Sequence, residues 1–260
     1  MKENPVKENP ATLPPTFTAL GHTRTRLTPT HALIAPDGHV RTSLPGWTNT
    51  AVVVLVSAQL GARFTQYLAY LETGGEGAPS AHERFVFVVS GSVRVTYTET
   101  RTLTPSEYVY LPAGAPATVY ADAPATVCVF ERRYLPLAGT PEPEPIFGNE
   151  LIIPGEAFLG DDGVTVRKLL PDDPRFDLMF STMTFKPGAT LPFAETHVME
   201  HGLLLLTGGG IYKLSESWYP VMAGDVIYMA PYCPQWFGAL GAVEAKYLLY
   251  KDANRDPFTL

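Results

Sequence analysis

Cysteine is scarce: Cys128 and Cys233 are the only thiols in 260 residues. Two thiols cannot build a disulfide framework, so stability must come from a buried core. Both are expected to be free thiols in a reducing cytosol. Basic clusters are absent too. A net charge of −7 and a pI near 5.4 offer no basic patch to nucleic acid or to an anionic membrane surface. No run approaches the ~20 apolar residues of a membrane span. The opening MKENPVKENPATLPP has no apolar stretch of the kind a secretory signal needs. A soluble, cytoplasmic protein is expected. Helical periodicity is also missing: almost nowhere do apolar residues recur every three to four positions.

Proline (25) and glycine (22) are plentiful, which suits an all-β protein rich in turns. The length admits one large core or two ordinary ones. Apolar runs with a period near two predict strands at 51–56, 64–70, 85–89, 93–97, 108–111 and 127–130. A second group is predicted at 178–185, 201–206, 210–214, 226–229 and 245–250. Between the groups lies Pro141-Glu-Pro-Glu-Pro145, the centre of a stiff, solvated linker over 138–150. At the start, Lys2-Glu3-Asn4-Pro5 recurs as Lys7-Glu8-Asn9-Pro10. Proline blocks helices and sheet ladders there, so a flexible arm is expected, with an oligomer clasp as its functional alternative.

The two groups of strands repeat each other. Ser106–Ala117 aligns without a gap on Gly224–Gln235, and Gly91 aligns on Gly208. Near each end, FERRY at 130–134 echoes the run at 247–251. A repeat of about 117 residues is too long for a solenoid and predicts a duplicated domain. The expected organisation is an arm with leading strands (1–46), an N-terminal barrel (47–137), the linker (138–150) and a C-terminal barrel (151–260).

Polar chemistry concentrates in the second half. Glu195-Thr-His197-Val-Met-Glu-His201 places residues 195, 197 and 201 at one parity. An unbulged strand would turn all three side chains to one side. The turn–strand–turn of Gly224–Gln235 would add the Gln235 side chain. Two imidazoles, a carboxylate and an amide oxygen make a mixed N/O donor set without thiolate. Such a set suits octahedral Mn2+ or Fe2+, with other divalent metals open. Projected onto the first half, the same slots fall at Ala78, Ser80, Arg84 and Ala117, a poor ligand set. That barrel is expected to be metal-free, with His82 and Glu83 on its surface. Tyr247, Leu249 and Lys251 share parity, so Tyr247 and Lys251 are expected to face one cavity. A lysine reaching into a barrel seeks an anion; at a strand end it can instead lie along the surface. On their own, Tyr212 and Tyr247 read as core aromatics and Cys233 as packing.

The frame of Gly188, Glu195, His197, His201 and Gly208, then Gly224, Ala230, Tyr232 and Gln235, resembles the two motifs of the cupin superfamily. The ligand types are permuted. Glu195 stands in the first histidine slot, His201 in the glutamate slot and Gln235 in the last histidine slot. Tyr232 replaces a glycine, Ala230 replaces a proline, and one residue is added after Gly188. This resemblance implies an all-β bicupin: two tandem double-stranded β-helix, or jelly-roll, barrels. The permuted set also resembles the bicupin (S)-ureidoglycine aminohydrolases. So do TPTHALIAPDGHVRTSLPGW (28–47), ERRYLP (131–136), ETHVMEHG (195–202) and YKDANRD (250–256).

The second resemblance covers nearly all of the chain beyond the first ~15 residues. It implies a manganese-dependent hydrolase of purine (allantoin) degradation that converts (S)-ureidoglycine and water to (S)-ureidoglycolate and ammonia. One Mn2+ would be held by Glu195, His197, His201 and Gln235, with Glu195 catalytic. The small ureide substrate would meet Glu195, Gln235, Tyr247, Lys251 and Tyr212, and the protein would be a homo-oligomer. Fold alone does not give function. Another metal-dependent cupin enzyme (isomerase, decarboxylase or dioxygenase) and a non-catalytic small-molecule-binding bicupin are the alternatives.

Overall fold

In a computed structural model, which describes residues 23–256, the chain forms strands joined by turns and three short 3-10 helices. The Lys-Glu-Asn-Pro tandem lies outside the described residues. The strands of the first half are β1 (Arg26–Leu27), β2 (His31–Ile34), β3 (Trp47–Val56), β4 (Phe64–Gly77), β5 (Glu83–Ser90) and β6 (Val93–Thr96), followed by β7 (Thr100–Leu103), β8 (Glu107–Leu111), β9 (Thr118–Ala121) and β10 (Ala125–Arg132). The second run opens with β11 (Ile146–Asn149), β12 (Glu156–Phe158), β13 (Asp161–Lys168), β14 (Leu178–Phe185) and β15 (His201–Thr207). It closes with β16 (Gly209–Leu214), β17 (Ser217–Met222), β18 (Val226–Met229), β19 (Gln235–Ala239) and β20 (Ala245–Asp252). All ladders are antiparallel, and the architecture is the expected all-β, two-barrel cupin arrangement.

One barrel is a nine-stranded sheet in the order β11-β8-β5-β10-β4-β9-β6-β7, with β3 also on β4. The other combines an eight-stranded sheet, β1-β2-β18-β15-β20-β14-β13-β12, with a three-stranded sheet, β17-β16-β19. The halves exchange their leading strands. β2 pairs with β18 of the second barrel, and β11 pairs with β8 of the first. β8 and β18 are repeat equivalents, so each imported strand covers the same otherwise open edge. Ile146–Asn149, expected within the linker, is therefore a strand of the first barrel.

The period-two pattern explains the cores. On β5, Val86 and Val88 fill the first barrel, while Phe85 and Phe87 face the second half. On β20, Ala245 and Tyr247 fill the second barrel, while Leu248 and Tyr250 face the first half. Strands at the seam are thus apolar on both faces. The seam is rich in aromatics: the Phe85 and Phe180 rings stack 3.7 Å apart, and those of Phe64 and Tyr250 lie 4.2 Å apart.

The ladder register corrects one alignment. Phe130 pairs with Phe85 as Tyr250 pairs with Gly202, so Phe130 answers Tyr250 and Glu131 answers Lys251. The echo of 130–134 in 247–251 is out of step because the preceding loops differ in length. Glu83 is not a surface residue: it is fully buried in the seam, while His82 beside it is exposed.

Candidate active site

β14, β15 and β20 of the large sheet and β16 and β19 of the small one enclose a cavity of about 330 Å³. On β15, the parity that sends Leu203 and Leu205 into the barrel also sends His201 inward. On β20 the same alternation turns Tyr247, Leu249 and Lys251 to the cavity. Gln235 opens β19, and Tyr212 sits on β16 opposite Phe237.

Glu195 and His197 arrive by a route the spacing did not predict. Residues 190–195 run beside β19: Thr190 bridges Gly238, and the Glu195 and Gln235 backbones exchange hydrogen bonds of 2.8 and 2.9 Å. The chain then crosses from the small sheet to the large one and re-enters a ladder at His201. One continuous strand from 195 to 201 is thus ruled out, because its two ends belong to different sheets. Glu195 and Gln235 are direct cross-strand neighbours instead. The carbonyl of His197 is held by the N–H of Tyr232 at 2.8 Å. Tyr232 has φ +63°, the left-handed conformation that suits the glycine of the cupin motif, so here a tyrosine bears a cost of about 1–2 kcal/mol.

All seven residues singled out from the sequence line this one cavity: Glu195, His197, His201, Tyr212, Gln235, Tyr247 and Lys251. Contacts gather three of the four expected ligands. His197 Nε2 lies 3.0 Å from His201 Nε2 and 3.0 Å from the Gln235 side-chain amide. Glu195 joins them through its backbone pairing with Gln235 and its place in the cavity wall. Among the described residues, no three His, Cys, Asp or Glu side chains converge tightly enough to define a metal site by themselves.

The donor chemistry fits a divalent cation. His201 Nδ1 faces the Tyr250 carbonyl at 3.2 Å, and a carbonyl can only accept, so Nδ1 carries the proton and Nε2 presents a lone pair. That lone pair points at His197 Nε2. If Nε2 of His197 is protonated to meet it, the buried His197 Nδ1 is left as a bare lone pair without a partner. A cation at the Nε2 atoms resolves the conflict. Two imidazole nitrogens each about 2.1 Å from one ion, at a right angle, stand about 3.0 Å apart.

Electrostatics keep the donors available. Burial, reinforced by His197 and Lys251, holds the His201 imidazole down at about 3. Burial and then Lys251 lower His197 as well, so both rings are neutral at pH 7. Burial raises the Glu195 carboxyl while Lys251 opposes the shift. Tyr212 and Tyr247 are buried phenols, pushed well above their ordinary range and therefore protonated.

Several lining residues went unread in the sequence. Met179, Ser181 and Met183 alternate inward along β14, and Tyr247 donates its hydroxyl to the Met183 sulfur at 3.2 Å. The lone polar Ser181 between two methionines of one parity was the available signal. Glu156 and Lys168 line the same cavity. In the first barrel, an ion pair stands where the second has its site. Arg84 donates to Glu131 at 2.8 Å and to the Ala78 carbonyl at 2.8 Å, and Tyr67 donates to Glu131 at 3.1 Å. By register, Arg84 and Glu131 answer His201 and Lys251.

No model of a known protein family matches the chain. Individual relatives do. It is 44% identical over 246 residues to a probable (S)-ureidoglycine aminohydrolase of Oryza sativa subsp. japonica, spanning 91% of this chain and 77% of that protein. It is 44% identical over 269 residues to the (S)-ureidoglycine aminohydrolase of Arabidopsis thaliana, spanning 98% and 88%. The crystal structure of protein Ylba from E. coli superposes with a TM-score of 0.81 at 31% identity, covering 90% of this chain and 96% of that one. With 44% identity over more than nine-tenths of this chain and more than three-quarters of each curated relative, the chain belongs to the (S)-ureidoglycine aminohydrolase family.

Proposed function

We propose that this protein hydrolyses (S)-ureidoglycine to (S)-ureidoglycolate and ammonia, a step in the breakdown of purine-derived ureides such as allantoin, with one Mn2+ in the second barrel. The observation that carries the reading is the meeting of His197, His201 and Gln235 in a cavity that Glu195 and Lys251 also line. The substrate carbon bears an amine, a ureido nitrogen and a carboxylate. Lys251 offers a cation for the carboxylate, inside a wall of phenols and thioethers that favours one orientation. His197, His201, Gln235 and Glu195 would hold the metal, with the Gln235 amide turned oxygen-inward. When bound, a divalent ion supplies Lewis acidity, orienting the substrate and easing proton loss from an oxygen it holds.

The reaction forms a C–O bond to water and breaks the C–N bond to the amine. One proton must pass from the water oxygen to the leaving nitrogen. Glu195, whose carboxyl is raised by burial, takes that proton and returns it to the amine. Ammonia release from freshly generated (S)-ureidoglycine, with and without Mn2+, tests the reading directly. Release that equals the spontaneous rate in both conditions would reject it.

A further inference from the structure

We propose that Arg63, a residue of the first barrel, is a positioning residue for the active site of the second. Its two-pronged guanidinium locks the backs of the two strands that carry His201 and Lys251. The inference rests on reading His201 as a metal ligand and Lys251 as the partner of the substrate carboxylate.

Arg63 lies one residue before β4. Its backbone N–H faces both carboxylate oxygens of Glu200 at 3.2 Å. Its guanidinium Nε lies 3.5 Å from Glu200, and its Nη2 donates to Asp252 at 2.9 Å. The other Asp252 oxygen accepts the backbone N–H of Glu200 at 2.6 Å, which closes a ring of three residues. Glu200 precedes His201 and Asp252 follows Lys251, and His201 and Lys251 are register partners on β15 and β20. Neighbouring residues on a strand point to opposite faces. The clamp therefore grips the outer face of the same pair of positions whose inner face forms the site. Phe64, next in sequence, lies against Gly202 and against the ring of Tyr250, whose carbonyl orients His201.

Two features argue that this arrangement positions rather than merely fills. Buried carboxylates cost stability unless paired, and apolar side chains would pack the seam at lower cost. A planar fork that must meet two carboxylates on neighbouring strands fixes their relative height and rotation, which apolar packing does not. The repeat also uses the same three positions in the other barrel with altered charges. By register, Glu83 answers Glu200, Arg132 answers Asp252 and Asp177 answers Arg63. There Arg132 lies 3.4 Å from Glu83 and 3.3 Å from Asp177, behind the Arg84–Glu131 pair. Behind the site-bearing strands, by contrast, the cation comes from across the seam.

The test uses the full chain with two variants, each studied at a temperature where near-UV circular dichroism shows it folded. Arg63→Lys keeps the charge but cannot span both carboxylates. Arg63→Met combined with Glu200→Gln removes the fork without leaving Glu200 as an unpaired buried charge. Metal-stripped protein is titrated with Mn2+ by electron paramagnetic resonance, and ammonia release is measured at saturating Mn2+. In both variants the Mn2+ dissociation constant is expected to rise about 10–100-fold, as for other groups that orient metal ligands. KM is expected to rise more than kcat falls. Mn2+ affinity and KM within two-fold of wild type, with only the melting temperature lowered, would overturn the proposal. Wild-type protein that neither takes up Mn2+ nor releases ammonia would instead overturn the functional reading, and the clamp's purpose with it.

Discussion

Tyr110 donates its hydroxyl to the Glu83 carboxylate at 2.9 Å inside the seam between the barrels. The other oxygen of Glu83 has no hydrogen bond; Arg132 stands 3.4 Å from it as a charge contact. One oxygen of the buried Asp177 is likewise unpartnered. Burial first, and then the neighbouring Asp177, push the Glu83 carboxyl up to about 9. An unfolded glutamate titrates at about 4.3. The folded value is the higher one, so this contribution to stability is complete below pH ~4.3 and is lost as the pH rises toward about 9. Its slope is at most about 1.4 kcal/mol per pH unit. Glu83→Gln, whose amide mimics the protonated acid, is expected to flatten the fall in melting temperature between pH 5 and 9. An unchanged slope in the variant would show that Glu83 ionises normally.

Metal content follows from the paired imidazoles. Purified protein is expected to bind one Mn2+ per chain, and anomalous scattering from metal-soaked crystals should place it between His197 and His201. Chelation should lower ammonia release to the spontaneous rate and added Mn2+ restore the excess. His201→Ala should lose both metal and activity. A peak beside Arg84 in the first barrel would contradict the asymmetry of the two halves.

Lys251 and Glu195 separate binding from chemistry. A charge-assisted bond to the substrate carboxylate is worth roughly 1.5–3 kcal/mol, so Lys251→Met should raise KM about ten-fold or more with Mn2+ retained. Glu195→Ala removes a ligand and a proton carrier together, and both Mn2+ affinity and kcat should fall. Steady-state kinetics and metal titration on the same preparations decide it. Loss of metal with an unchanged KM in Lys251→Met would mean the carboxylate binds elsewhere.

Gly202 sits at a tight approach of the two barrels. A Cβ there would stand 2.6 Å from carbons of the Phe64 ring and 2.8 Å from the Gln66 amide oxygen. Gly202→Ala should cost about 1–3 kcal/mol by overpacking. For a chain of this size that lowers the melting temperature by about 2–4 °C per kcal/mol. Because residue 202 adjoins His201, Mn2+ affinity should weaken too. A variant as stable as wild type would show that the seam yields easily.

Much of the site is legible in the sequence because its parts are local. Parity along β20 and β15 is a property of the strand itself, so residue spacing is enough to turn Tyr247, Lys251 and His201 inward. The Gly224–Gln235 turn is likewise readable from its repeat in Ser106–Ala117. Other expectations fail where partners are distant. Glu83 resembles a surface residue in sequence, because nothing nearby reveals that Tyr110, Arg132 and Asp177 surround it.

The sequence by itself determined the strand periods, the duplication, the candidate donor set and the family resemblance, since each is written in residue type and spacing. Tertiary structure decided what depends on long-range pairing. It routed Glu195 alongside β19 and His201 onto β15, so that donors expected on one strand converge from two sheets. It traded β2 and β11 between the halves, because an open ladder edge takes whichever strand geometry brings to it. It also set Arg63 behind His201, where two buried carboxylates take their cation from the other barrel because the neighbouring Lys251 faces the cavity.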